Sequence, residues 1–234
     1  MSIMKKAYVY VDGFNLFYGC LKKSNYKWLD LNKLLLFYFP KYKIEKIKYF
    51  TAIVNARKND LNKPAKQITY LRALKTLKNL DIILGTFLEN EIKVFVPNRN
   101  KNKVRQNASV ELDKNKTILP LLGNNYFFIK KTEEKGSDVN IASHLTMDFY
   151  ENKFDVAIVV SNDSDLAETI KILNKKNNKS IRLLNPYQKT NLKLLDSVSG
   201  DVKKVRKSVL KISQFPCSLD DSRGSFYKPK DWDV

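Results

Sequence analysis

The 234-residue chain is long enough for one domain with a small appendage, and its 43% hydrophobic and 12% aromatic content excludes a disordered chain. A net charge of +19 points to a polyanionic partner, although 36 Lys beside 7 Arg and 23 Asn equally fits the codon bias of an AT-rich genome. Cys20 and Cys217 lie far apart, which excludes a disulfide framework and a structural zinc site, and the lone His144 excludes any mechanism needing two histidines.

In chain order, residues 7–11 (AYVYV) are β-branched and aromatic and end at Asp12-Gly13, which predicts a buried strand running into a turn. Phe14, Phe17, Tyr18 and Leu21 then recur at helical spacing. Asp12 and Asn15 interrupt the apolar start and no small-residue cleavage site follows, so it does not read as a signal peptide. No apolar run anywhere reaches the about 18 residues that span a bilayer. The chain is therefore expected to be soluble and cytoplasmic.

A helix is predicted over 31–39, stopped by Pro40, then a strand over 47–54. Pro64 opens a predicted helix to Leu77 with Ile68, Leu71 and Leu74 on one face. Residues 82–88 return to strand pattern, with 92–96 expected to pair back on them as a hairpin. Residues 98–117 are polar, basic and Asn-rich, and read as a surface loop or as a basic flap over substrate. Next come a strand over 126–131, a helix over 139–150, a continuous apolar strand over 156–161, a helix over 166–173 and a strand over 180–184. On the 139–150 helix, Val139, Ala142, Leu145 and Phe149 form the expected apolar stripe, which leaves His144 in solvent. Fragments over 190–212 close the pattern. Residues 1–213 are thus expected to form one α/β domain, a mainly parallel sheet with helices on both faces, and 214–234 a tail packed on or across it.

The aspartates sit where these strands end. Asp12 follows the first strand, Asp163 and Asp165 follow the 156–161 strand, and Asp138 opens a helix after Glu134-Lys135-Gly136-Ser137. Open parallel sheets bind ligands outside the carboxyl ends of their strands, where strand order reverses, so these segments can bring four carboxylates to one edge. Clustered carboxylates repel unless a cation neutralises them, and an all-oxygen donor set suits Mg²⁺ or Mn²⁺. Each has a plainer reading too: Asp12-Gly13 as a turn dipeptide, Asp138, Asp163 or Asp165 as helix caps, and Asn15 as a polar helix residue. Lys135, Arg57 and Lys58 are candidate phosphate contacts, each one basic residue among many.

At these residues the chain resembles the NYN-domain family, in particular its LabA-like branch within the PIN-like nuclease superfamily. YVDGFNLFYG at 10–19, KTEEKGSDVNIA at 131–142 and VVSNDSDL at 159–166 are similar to that family's three motifs in order and spacing. YLRALKTL, SQFP and KPKDW carry weaker similarity, so the resemblance extends over most of the chain. It implies a Rossmann-like (PIN-like) sheet and a metal-dependent ribonuclease whose site residues are Asp12, Asn15, Asp138, Asp163 and Asp165. The partner implied is RNA or single-stranded nucleic acid. One departure stands out: where the family has Ser-Gly-Asp-Ser-Asp, this chain has Asn162 at the glycine. If that position needs positive φ, Asn is the best-tolerated replacement.

Other readings divide on features of the sequence. A non-catalytic nucleic-acid-binding or regulatory module would keep the fold and the charge without needing metal. A haloacid-dehalogenase-type phosphatase needs a second Asp at position 14, which is Phe14. A topoisomerase-primase-type site needs Glu where Asp12 stands, and no G-x-x-x-x-G-K-[ST] run supports triphosphate binding. A homodimer would extend a basic groove, but no segment marks an interface.

Overall fold

The computed structural model describes residues 4–56, 60–95, 118–120, 126–176, 179–198 and 200–232. They form two compact units, one of Met1–Thr51, Ile68–Gly85 and Gly136–Val234, the other of Ala52–Gln67 and Thr86–Lys135.

The first unit is built on β1 (Lys5–Asp12), β2 (Tyr42–Thr51), β3 (Leu80–Leu84), β7 (Val156–Val160), β8 (Ser180–Asn185) and β9 (Val202–Lys204). They form one sheet in the order β3-β2-β1-β7-β8-β9, with every neighbouring pair parallel. From β1 the chain winds outward through β2 and β3. It then returns to lay β7 beside β1 and winds outward the other way. The reversal of strand order therefore falls between β1 and β7, the place beyond whose strand ends open parallel sheets bind ligands.

The sequence dictates why both central strands are buried. All of β7 is enclosed, and β1 is enclosed along its second half. Successive side chains alternate between two apolar layers. Val9, Val11, Ile158 and Val160 enter the layer built around Trp28, Leu34 and Leu35. Tyr10, Ala157 and Val159 enter the layer built around Ile141, Leu145 and Ile170. An alternating apolar run with no polar face is what a sheet covered by helices on both sides requires.

The helices are α1 (Gly13–Leu16, continued by π-helical turns over Phe17–Leu21), α2 (Leu31–Tyr38), α3 (Lys63–Leu74), α4 (Ser137–Tyr150), α5 (Ala167–Asn174), α6 (Leu192–Ser197) and α7 (Lys207–Ile212). Among the described residues no helix is long and apolar enough to cross a membrane.

Three expectations are revised. Val139 is 68% exposed, and the row that α4 buries is Ile141, Leu145, Asp148 and Phe149. His144 is half-buried rather than solvated: its ring stands edge-on to Phe50, with Nδ1 3.2 Å from Lys48 Nζ. The cause of both is a buried carboxylate, Asp148, which draws Lys48 under the helix and rotates the buried face by about one position. Residues 82–88 are not one strand. β3 ends at Leu84, Gly85 donates its N–H to the Thr51 carbonyl, and the next strand begins at Thr86. Beyond Pro216, β10 (Ser218–Asp221) and β11 (Gly224–Tyr227) form a hairpin that buries Phe226 in the layer around Trp28.

The second unit is an antiparallel sheet of β4 (Thr86–Phe95), β6 (Tyr126–Lys135) and β5 (Ile118–Pro120), in the order β4-β6-β5. β4 and β6 pair along their whole length, from Thr86↔Lys135 to Phe95↔Tyr126, which replaces the expected pairing of 92–96 with 82–88. Beside them the Gln67 amide accepts the Val54 N–H and donates to the Ala52 carbonyl, holding that loop to its own unit. The basic segment 98–117, Arg57 and Lys58 lie outside the described residues, as does the side chain of Lys135.

Candidate metal centre

Asp12 closes β1 and is 4% exposed. As the N-cap of α1 its Oδ1 accepts the Asn15 N–H at 2.8 Å, and its Oδ2 accepts the Ser161 hydroxyl at 3.1 Å. Both oxygens are thus fixed before any ligand arrives. Gly13 makes the turn possible, because a Cβ there would stand 2.7 Å from the Phe50 carbonyl and from the Tyr49 ring.

Past β7 the chain runs Ser161-Asn162-Asp163 alongside this corner. The Asp163 N–H donates to Ser161 Oγ at 3.1 Å, and Asp163 Oδ1 caps the turn of 3-10 helix Ser164–Leu166 by accepting the Asp165 N–H. The same hydroxyl that orients Asp12 therefore positions Asp163. Asp138 arrives from the first turn of α4, after Gly136 at φ 98°, a left-handed conformation that suits glycine. The free N–H groups of a helix start favour a carboxylate there.

These elements bring Asp12, Asp138 and Asp163 together, each offering an oxygen within 4.8 Å of the others. Asp165 is exposed and lies outside this group of three. Asn15 touches the cluster from behind: its N–H serves Asp12, and its Oδ1 accepts the Asn162 N–H at 2.9 Å. Asn162 has no left-handed backbone, since Asn152 alone among the described non-glycine residues has positive φ. Its side chain acts instead as a latch, donating to the Lys189 carbonyl at 3.1 Å and accepting the Asn191 N–H at 2.8 Å.

The latched loop carries a residue that the sequence reading passed over. Tyr187 follows β8 and packs on Gly19, where a Cβ would meet its ring at 2.8 Å. Burial raises the Tyr187 phenol pKa, and the Asp12 and Asp163 carboxylates raise it further. Tyr49 is likewise raised by burial and by Asp12. The signal that could have found Tyr187 is positional: it sits just beyond the end of a strand, as the aspartates do. Ser161 lies within the VVSNDSDL motif, but its two-way hydrogen bonding is visible only in the fold. Cys20 is no nucleophile, because burial pushes its thiol up to about 12.

The donor set fits a hard divalent cation. It contains only carboxylate oxygens, the donors that Mg²⁺ and Mn²⁺ prefer, gathered within 4.8 Å of one another. Without a cation, three like charges in a half-buried corner repel.

The NYN domain family matches residues 6–202, from the start of β1 to the start of β9. A 6-hydroxy-3-succinoylpyridine 3-monooxygenase of Pseudomonas putida is 29% identical over 190 residues, covering 70% of this chain and 54% of that protein. The chain thus spans about half the length of that curated relative. A protein of unknown function from Vibrio parahaemolyticus, known from its crystal structure, superimposes with a TM-score of 0.53 at 16% identity. That match covers 88% of this chain and 97% of the other, and it is a likeness of fold. With a PIN-like parallel sheet, an aspartate trio at its switch point and a family match across most of its length, the chain belongs to the NYN-domain family.

Proposed function

We propose that the protein is a metal-dependent ribonuclease that hydrolyses phosphodiester bonds of RNA or other single-stranded nucleic acid. The observation that carries this reading is the convergence of Asp12, Asp138 and Asp163 at the β1/β7 switch point. In it, those three carboxylates hold Mg²⁺ or Mn²⁺, and Ser161 and Asn15 hold the carboxylates. A divalent cation so held supplies positive charge against the phosphate and acidifies water for in-line attack. Asp165, on the exposed rim, serves as a further acidic group of the site rather than as one of the central three. On sequence grounds Lys135, Arg57 and Lys58 are its proposed phosphate contacts.

Asp163→Asn is the first test. Asn caps a helical turn as Asp does, so the fold is expected to survive while a metal ligand is weakened. Labelled single-stranded RNA is incubated with wild type and variant in Mn²⁺, Mg²⁺ or EDTA. The expected result is cutting by wild type with metal only, and roughly 100-fold or slower cutting by the variant. RNA bound but left intact under every metal would overturn the hydrolase reading in favour of a binding module. A second reading follows the name of the Pseudomonas putida relative, and oxidation of 6-hydroxy-3-succinoylpyridine by this chain would replace the nuclease assignment with it.

A further inference from the structure

A second feature of the first unit lies past the far end of the latched loop. Lys203, Lys204, Arg206 and Lys207 follow one another across the join of β9 and α7 and line an open cavity of about 710 Å³. Phe37, 44% exposed on α2, forms another part of the wall, and Gln188 closes it from the loop that carries Tyr187. Among the described residues no carboxylate pairs with any of these four cations. Two are built into the wall by neighbours that leave their charge uncancelled. Lys203 Nζ donates to the Tyr38 carbonyl at 2.5 Å and lies over the Phe39 ring. The Arg206 guanidinium lies 5.6 Å from the Phe37 ring centre, and the Arg206 backbone N–H donates to the Tyr38 hydroxyl at 2.8 Å. Lys204 and Lys207 are exposed.

Four uncancelled cations beside an exposed aromatic ring match a flexible strand of phosphates and bases better than they match a small anion. One loop, residues 185–191, links the cleft to the carboxylate corner. Gln188 lines the cleft, and Asn162, whose own N–H is held by Asn15, donates to the Lys189 carbonyl and accepts the Asn191 N–H on the same loop. We propose that this cleft is the groove in which the phosphate backbone of a single nucleic-acid strand lies as it passes the 185–191 loop toward the aspartates. The identity of the occupant rests on the ribonuclease reading; the cleft itself does not depend on cutting.

The test is binding of a fluorescein-labelled 20-nucleotide oligouridylate, followed by fluorescence polarisation in EDTA over a series of salt concentrations. Wild type is compared with Lys204→Gln/Arg206→Gln/Lys207→Gln. The expected result is at least a tenfold loss of affinity at low salt, and a log–log salt slope shallower by about 2, since each single-strand phosphate contact contributes about 0.7. If the triple variant melts early, Lys204→Gln/Lys207→Gln alters only exposed side chains, and its slope is expected to fall by about 1.4. Equal affinity and slope in wild type and variant would overturn the proposal, as would failure of wild type to bind. Preference of wild type for anionic vesicles over the oligonucleotide, lost in the variant, would overturn it in favour of a membrane surface. A protein that binds through the cleft but never cuts retires the ribonuclease and keeps the groove. A protein that cuts while the triple variant binds like wild type retires the groove and keeps the ribonuclease.

Discussion

Ser161 is fully enclosed, and its one hydroxyl settles the positions of two carboxylates by donating to Asp12 and accepting from the Asp163 N–H. Such supporting groups typically change metal affinity by about 10- to 100-fold when removed. Ser161→Ala is therefore expected to weaken Mn²⁺ binding, read by calorimetry, by roughly 10-fold, while the far-ultraviolet spectrum stays unchanged. Unaltered affinity would mean that the aspartates hold their places without it. The two glycines of this corner act differently, by leaving space. Gly13 admits the Phe50 carbonyl, and Gly19 admits the Tyr187 ring, so neither position has room for a methyl group without moving its neighbour. The residue that departs from the family motif, Asn162, shows how a position can be explained by its side chain rather than its backbone. Without a left-handed φ to satisfy, it spends its amide on the 189–191 backbone.

At the scale of elements, α4 lies against β1 and β2 through a polar knot set inside an apolar layer. The Lys48 ammonium donates to Asp148 Oδ2 at 2.5 Å, and the Tyr10 hydroxyl donates to the same oxygen at 2.7 Å. Burial first, and then the bond to Asp148, raise the Tyr10 phenol pKa, so it remains a donor at any ordinary pH. Burial and the adjacent Lys48 hold the His144 imidazole below its usual pKa, so Lys48 donates to a neutral ring whose proton sits on Nε2. Asp148→Asn keeps the shape and removes the charge, leaving the Lys48 ammonium, 12% exposed, without its counter-ion. The expected cost is about 3 kcal/mol in urea unfolding, because breaking a buried pair is worse than never having one. The apolar pair Lys48→Met/Asp148→Leu is expected to recover most of it, and equal instability of the two variants would show that packing, not charge, is at stake. The hairpin β10–β11 uses an ion pair nearer the surface. Arg72 grips Asp221 with two nitrogens and also donates to the Gly224 carbonyl, and that contact holds the Asp221 carboxyl below its usual range.

At the scale of the whole molecule, what was legible in the sequence was what periodicity and strand ends encode. Apolar runs at 7–11 and 156–161 foretold the two central strands, and four aspartates at strand ends and a helix start were expected at one edge, of which Asp12, Asp138 and Asp163 come together. What escaped the reading depends on contacts between distant segments. Nothing in the sequence marks Asp148 or Phe226 as buried, or sets the cations at 203–207 apart from the many other basic residues. Clustering of charge has a thermodynamic consequence for the folded molecule as a unit. A cation that binds the assembled trio has no equivalent site in the unfolded chain, so it shifts the folding equilibrium by mass action. At a free Mn²⁺ concentration 100 times its Kd the gain is about 2.7 kcal/mol, which for a protein of this length raises Tm by roughly 5–10 °C. EDTA is expected to reverse the rise, and Asp12→Asn/Asp163→Asn to abolish it without lowering the metal-free Tm, since removing two of three mutually repelling charges relieves the apo site. A wild-type Tm indifferent to Mn²⁺ and Mg²⁺ would remove the metal from the trio, whatever an activity assay reported.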